Sequence, residues 1–211
     1  MRKKAFIVLV TIALVLDAPF IVRAETPGNF VEVRDGHLSV GGTRLKLWGS
    51  QSGTLGETPA AIDKEVADFR ALGFNLYRNI SVGSAYPMEY KRGDGSTMDL
   101  QDYTFAAIVK SGAYNWIDLI NNVTIASADV DVIDDPLVSR EDWLKAMEGK
   151  TLRPSTVQTI WDFRTQTVYL NHIDRVMNHV NQYTGLRYAD DPSIALVELV
   201  NEQWWLPKML A

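Results

Sequence analysis

The residues best suited to chemistry lie near the end of the chain, where an apolar run gives way to polar and aromatic residues. Residues 194–200 are almost entirely apolar, and Asn201, Glu202, Trp204 and Trp205 follow them. A Glu that apolar surroundings keep partly neutral can donate a proton, and indole faces can stack on pyranose rings. The sequence therefore indicates proton transfer beside a bound sugar, with Glu202 as the donor. The alternative is that Glu202 only caps the next helix.

The apolar run itself predicts a strand buried on both faces, as in a parallel sheet covered by helices. Active sites of α/β proteins are built where the carboxyl ends of such strands meet. Because side chains alternate along a strand, Glu198, Val200 and Glu202 are expected on one face.

A second charged residue, Arg78, lies within the predicted strand 74–80. A guanidinium inside an α/β fold needs a partner, because an isolated buried charge is costly. Glu198 and Glu202 are both candidates. We favour an ion pair with Glu198, since an adjacent Arg would keep Glu202 ionised and a general acid must hold its proton.

Strands and helices alternate along the rest of the chain. A hairpin turning at Asp35-Gly36 is expected over residues 30–40, with a second turn at Gly41-Gly42. Thr58-Pro59 begins a helix that Gly73 ends, with Ile62, Val66, Phe69 and Leu72 on its apolar face. Further strands are predicted at 44–51, 74–80, 114–120 and 194–200, and further helices at 100–110, 139–147 and about 156–181.

Two of these segments resemble a known family. Residues 197–202, Val-Glu-Leu-Val-Asn-Glu, resemble the fourth strand of the clan A glycoside hydrolases and are most similar to the family 5 cellulase and mannanase group. Residues 72–78, Leu-Gly-Phe-Asn-Leu-Tyr-Arg, are similar to the clan's junction between the first helix and the second strand. The first strand also fits, except that Gln51 stands where the clan has Asn. The resemblance implies a (β/α)8 TIM barrel preceded by an N-terminal β-hairpin.

The resemblance also implies roles for individual residues. Glu202 would be the acid/base, Asn201 would bind the sugar 2-hydroxyl, and Arg78 would orient the catalytic carboxylates. Trp204 and Trp205 would bind substrate by stacking. Trp48 is either a core aromatic or a sugar platform.

We expect the chain to hold only the N-terminal half of that barrel, truncated after about four βα units, since a full barrel takes about 250 residues. The implied function is retaining hydrolysis of β-linked glycans of glucan or mannan type. Its nucleophile, on the clan's seventh strand, would be missing, so the fragment alone would be inactive. The alternative is a secreted carbohydrate-binding protein without catalysis.

The composition and the N-terminal residues limit which partners are expected for this protein. Residues 1–24 combine Arg2-Lys3-Lys4 with an apolar stretch and predict a signal peptide, hence a secreted or periplasmic domain over 25–211; an uncleaved anchor is the alternative. The net charge of -5 argues against nucleic acid, and no membrane partner is expected after cleavage. No cofactor or metal is expected: there is no cysteine, and the acidic residues at 129–135 match no EF-hand.

Overall fold

The computed structural model describes residues 28–51, 56–80, 82, 90–120, 139–149 and 163–201. The predicted signal peptide and the acidic residues at 129–135 lie outside these ranges. The chain forms a small antiparallel sheet followed by a four-stranded parallel sheet with helices.

The antiparallel sheet is the expected hairpin with one more strand. Strands β1 (Glu32–Arg34) and β2 (His37–Val40) pair across Asp35-Gly36. Both turn residues have positive φ, 51° and 75°, the backbone that a tight two-residue hairpin turn requires. β3 (Thr43–Arg44) then pairs with β2.

The single strand predicted over residues 44–51 is wrong, because this segment passes from one sheet to the other. Its start belongs to β3, and its end forms β4 (Gly49–Gln51) in the parallel sheet. Between them the Asn75 side chain fastens the backbone: its amide donates to the Lys46 carbonyl, and its oxygen accepts from the Trp48 N–H. The Asn75 side chain thus adds to the backbone bond that its own N–H donates to the Trp48 carbonyl.

The parallel sheet has the order β4-β5-β6-β7, with β5 at Leu76–Asn79, β6 at Tyr114–Asp118 and β7 at Ile194–Glu198. β4 lies so close to β5 that a Cβ at Gly49 would stand 2.5 Å from the Leu76 carbonyl oxygen. Glycine at this position therefore sets the spacing of the first two parallel strands.

In the described ranges four α-helices accompany the sheet: α1 (Pro59–Ala71), α2 (Thr97–Lys110), α3 (Arg140–Met147) and α4 (Phe163–Asn178). Thr58, Ser96 and Ser139 cap the first three by accepting a backbone N–H. The predicted start of α4 near residue 156 lies outside the described residues. Among the described helices, none is both long and apolar enough to cross a membrane.

The apolar core lies between the sheet and its helices. One cluster gathers α1 and α2 against β5, and the other gathers α2 and α4 against β6. Ile62 and Val66 are buried as expected, whereas Leu72 is 70% exposed because α1 has ended before it. The first cluster contains Ile62, Val66, Tyr77, Ile108 and Ala113, and the second includes Phe105, Ile117, Leu119, Val168, Tyr169, Val176 and Tyr188.

The last strand departs from the prediction of a segment buried on both faces. β7 ends at Glu198, and Val197 and Leu199 are 45% and 58% exposed. The reason is its place in the sheet: in the described part of the chain, β7 and β4 each pair on one side only.

Candidate active site

The polar side chains of the parallel sheet collect on the face that turns away from the helices. Tyr77 packs in the core, so its neighbour Arg78 points to the opposite face. In the strand register Arg78 lies between Gln51 on β4 and Trp116 on β6, and Asp118 lies beside Glu198 on β7. We refer to Gln51, Arg78, Trp116, Asp118, Glu198 and Asn201 as the Arg78 group.

Arg78 is bonded from several sides. Its Nε and Nη2 both lie 2.8 Å from Glu198 Oε2, and Nη2 also donates to Asn201 Oδ1 at 2.7 Å. Its Nη1 donates to Gln51 Oε1 at 2.5 Å. The guanidinium carbon lies 5.2 Å from the centroid of the Trp116 ring, within the range of a cation–π contact. The expected ion pair between Arg78 and Glu198 is therefore present.

The group carries more negative than positive charge. Asp118 is fully buried and lies 3.6 Å from Arg78 Nη2, while the Glu198 side chain keeps 23% of its surface exposed. One guanidinium thus faces two carboxylates. Such a group holds the Arg78 guanidinium in place, and it presents N–H donors to a ligand rich in oxygen.

A pocket of about 300 Å³ opens beside these residues. Arg78, Gln51 and Trp116 form its polar and aromatic side, and Gly49, Ser50 and Leu76 complete the lining. An aromatic surface next to fixed hydrogen-bond donors suits a sugar, whose apolar face and hydroxyl groups need both.

The structure brings together only part of the predicted site. Arg78 and Asn201 are in contact, but Trp48 lies at the amino end of β4, 66% exposed and stacked on Phe74 at 6.0 Å. The prediction of Trp48 as a core aromatic is therefore wrong. As a sugar platform it lies outside the Arg78 group and does not line the pocket. Glu202, Trp204 and Trp205 lie outside the described residues.

Sequence reasoning undervalued two residues that the structure adds. Trp116, to which the sequence assigned no role in the site, lies under Arg78 on the pocket side. Gln51 was only a departure from the clan pattern, yet it binds Arg78 directly. The alternation of β6 could have found Trp116, because Ile117 is the residue that enters the core.

A second polar cluster lies on the helix side of the sheet. Fully buried Asp102 of α2 accepts from the Tyr188 hydroxyl at 2.6 Å, the Gln182 N–H at 2.9 Å and His179 Nε2 at 3.0 Å, and from the Tyr90 hydroxyl. Burial, reinforced by Asp102, raises the pKa of Tyr188 well above its ordinary value, so this hydroxyl remains a donor. We call these five residues the Asp102 group.

Metal ligands are not clustered in either region. In the ranges that the structure describes, no group of three or more His, Cys, Asp or Glu side chains could hold an ion.

Comparison with known proteins places this geometry in a wider context. The sequence is 29% identical over 153 residues to mannan endo-1,4-beta-mannosidase 3 of Oryza sativa subsp. japonica. The matched region covers 68% of this chain and 29% of the rice protein. This similarity confirms the predicted resemblance to the clan A, family 5 cellulase and mannanase group. No family model matches the chain.

Two solved structures from Rhizomucor miehei share the fold. An endo-1,4-beta-mannanase has a TM-score of 0.56 at 18% identity, over 82% of this chain and 48% of that one. A glycoside hydrolase family 5 mannosidase has a TM-score of 0.54 at 16% identity, over 83% and 49%. This chain therefore spans about half the length of these structures. Its parallel strands and helices correspond to part of an α/β barrel.

Proposed function

We propose that this chain supplies the acid/base side of a retaining β-glycan hydrolase, with mannan-type chains as the first substrate to test. The proposal rests on one observation, the contact of Arg78 with Glu198 and Asn201 at the carboxyl edge of the parallel sheet. Asn201 directly precedes Glu202 in the sequence. The names of the rice and Rhizomucor relatives support mannan over other β-glycans.

In the proposed reaction Glu202 protonates the departing glycosidic oxygen and later removes a proton from the attacking water. Asn201 binds the 2-hydroxyl of the sugar at the cleaved bond, and Arg78 holds Asn201 in place. Retention requires a second carboxylate about 5–5.5 Å from the first, as the nucleophile. Glu202 is the first of these two carboxylates. The second, the nucleophile, would come from a strand outside the four-stranded parallel sheet.

The substrate would be a polysaccharide or oligosaccharide met outside the cytoplasm, after removal of the signal peptide. Trp204 and Trp205 would stack on sugar rings next to the cleaved bond.

The test uses the full protein with β-1,4-mannan and β-1,4-glucan oligosaccharides, following product release and the anomeric configuration of the first product. Glu202→Gln should lower kcat by about 100-fold or more, because it removes the proton donor. Exposed Glu57→Gln is the matched control and should hydrolyse as the unaltered protein does.

Two results would contradict the proposal. Full activity of Glu202→Gln would support the alternative that Glu202 only caps a helix. Saccharide binding by the full protein without any hydrolysis would instead support the non-catalytic carbohydrate-binding alternative.

A further inference from the structure

The Arg78 guanidinium dictates how its two amide neighbours are turned. A guanidinium carries N–H donors and no acceptor. Gln51 and Asn201, which contact Nη1 at 2.5 Å and Nη2 at 2.7 Å, must therefore present their oxygens to it. The NH2 group of each amide is turned away from Arg78 as a consequence.

The ion pair with Glu198 does not by itself fix the guanidinium. Nε and Nη2 both approach the same carboxylate oxygen, Oε2, each at 2.8 Å. A fork with two separate oxygens would set the plane of the guanidinium, whereas one oxygen leaves a pivot about that atom. The contact at Nη1, on the far side of the group, then becomes important for orientation.

Gln51 supplies this contact from the neighbouring strand. It lies directly opposite Arg78 in the β4–β5 register and lines the pocket beside it. Close packing of Gly49 on Leu76 keeps β4 at the distance from which the Gln51 side chain reaches Nη1. Within the described residues, no hydrogen bond engages the Gln51 Nε2 atom.

We propose that Gln51 is a positioning residue that locks Arg78 in the orientation that holds Asn201, and that its NH2 group donates to a hydroxyl oxygen of the bound pyranose. The inference rests on the proposed function and extends it from Asn201 to the opposite side of the pocket. A neutral amide suits this place, because the Arg78 group already contains two carboxylates for one guanidinium.

The experiment compares Gln51→Leu, which removes both the acceptor and the donor, with Gln51→Glu, which keeps an acceptor for Arg78 and removes the donor. In 15N-labelled full protein, Gln51→Leu should shift the Arg78 Nε–H and Asn201 side-chain amide signals. It should lower kcat/KM at least about tenfold, as expected for loss of a hydrogen bond to a charged group. Gln51→Glu should keep the Arg78 Nε–H bonded and show its loss mainly as a higher KM.

The exposed Lys64→Ala variant, on the outer side of α1, is the control and should change neither readout. If Gln51→Leu fails to fold by circular dichroism, Gln51→Asn replaces it, because its shorter side chain cannot reach Nη1. Unchanged Arg78 and Asn201 signals in these variants would overturn the inference even if the protein hydrolyses mannan. Shifted signals in a protein that hydrolyses no β-glycan would instead overturn the proposed function and leave the Arg78 contact standing.

Discussion

The Arg78 group and the Asp102 group both hold buried charge, but they hold it in different ways. Asp102 is a single carboxylate that hydroxyl, imidazole and backbone donors satisfy inside the helix layer. Arg78 lies beside an open pocket between two carboxylates and two amides. A fully satisfied charge surrounded by packed side chains fastens the fold, whereas unbalanced charge beside a pocket can act on a ligand.

The Asp102 group nevertheless bears on the Arg78 group through the chain path. It fastens the segment from His179 to Tyr188 to α2, and this segment leads directly into β7. β7 carries Glu198, and Asn201 follows it. The fastening on the helix side thus helps to determine where the polar residues of the other face lie.

The largest effect should come from Asp102→Ala. The substitution leaves donors of Tyr90, His179, Gln182 and Tyr188 without their shared acceptor, the fully buried Asp102 carboxylate. We expect a loss of about 3–5 kcal/mol in the free energy of unfolding, measured by urea titration. Glu57→Ala, at an exposed position before α1, is a control that removes a carboxylate without burial. Equal unfolding midpoints for the two variants would show that the Asp102 group does not stabilise the fold.

Arg78→Leu should destabilise the protein less than Asp102→Ala does, but it should lower the activity more. It leaves Asp118 and partly exposed Glu198 without their cation, which should cost about 2 kcal/mol of unfolding free energy. Release of Asn201 should reduce hydrolysis by about 100-fold or more, since small displacements of binding groups are costly. Arg78→Lys keeps the charge but not the fork and should recover stability more than turnover. Unchanged turnover in Arg78→Leu would remove Arg78 from the site.

Much of the fold was predictable, because its signals are local. The Asp35-Gly36 turn, the Thr58 cap and the apolar spacing along α1 act over a few residues and gave correct elements. The division of residues 44–51 between two sheets was not predictable, since it depends on the Asn75 side chain some 29 residues away. The exposure of β7 depends likewise on its outer position in the sheet.

The site was predictable where strand alternation and charge pairing combine. Arg78 and Glu198 are 120 residues apart, yet each is a charged residue in an apolar strand and each needs the other. The Asp102 group offered no such signal, because its residues are ordinary on a helix or in a loop and meet only through tertiary packing. The catalytic role of Glu202 and the stacking roles of Trp204 and Trp205 stay predictions.

Asp191 is another buried carboxylate, and it differs from Asp102 because only one of its two oxygens has a hydrogen-bond partner in the described residues. Its Oδ1 accepts from the Ser193 N–H at 2.9 Å, whereas Oδ2 is buried and has no hydrogen-bond partner in the described part of the chain. Burial raises the pKa of Asp191 above its ordinary value, despite the opposing bonds from Ser193. The folded protein thus binds this proton more tightly than the unfolded chain does.

The smallest effect, and the only one with a pH signature, should come from Asp191→Asn. Because the folded pKa is raised, the contribution of Asp191 to stability is complete below its unfolded pKa, about 4, and is lost as pH rises through the folded value. Asn has no proton to lose and keeps an oxygen for the Ser193 N–H. The unfolding free energy of the variant relative to the unaltered protein should therefore rise between about pH 4 and pH 7. A difference that stays flat over this interval would mean that Asp191 is ionised in the folded protein without cost.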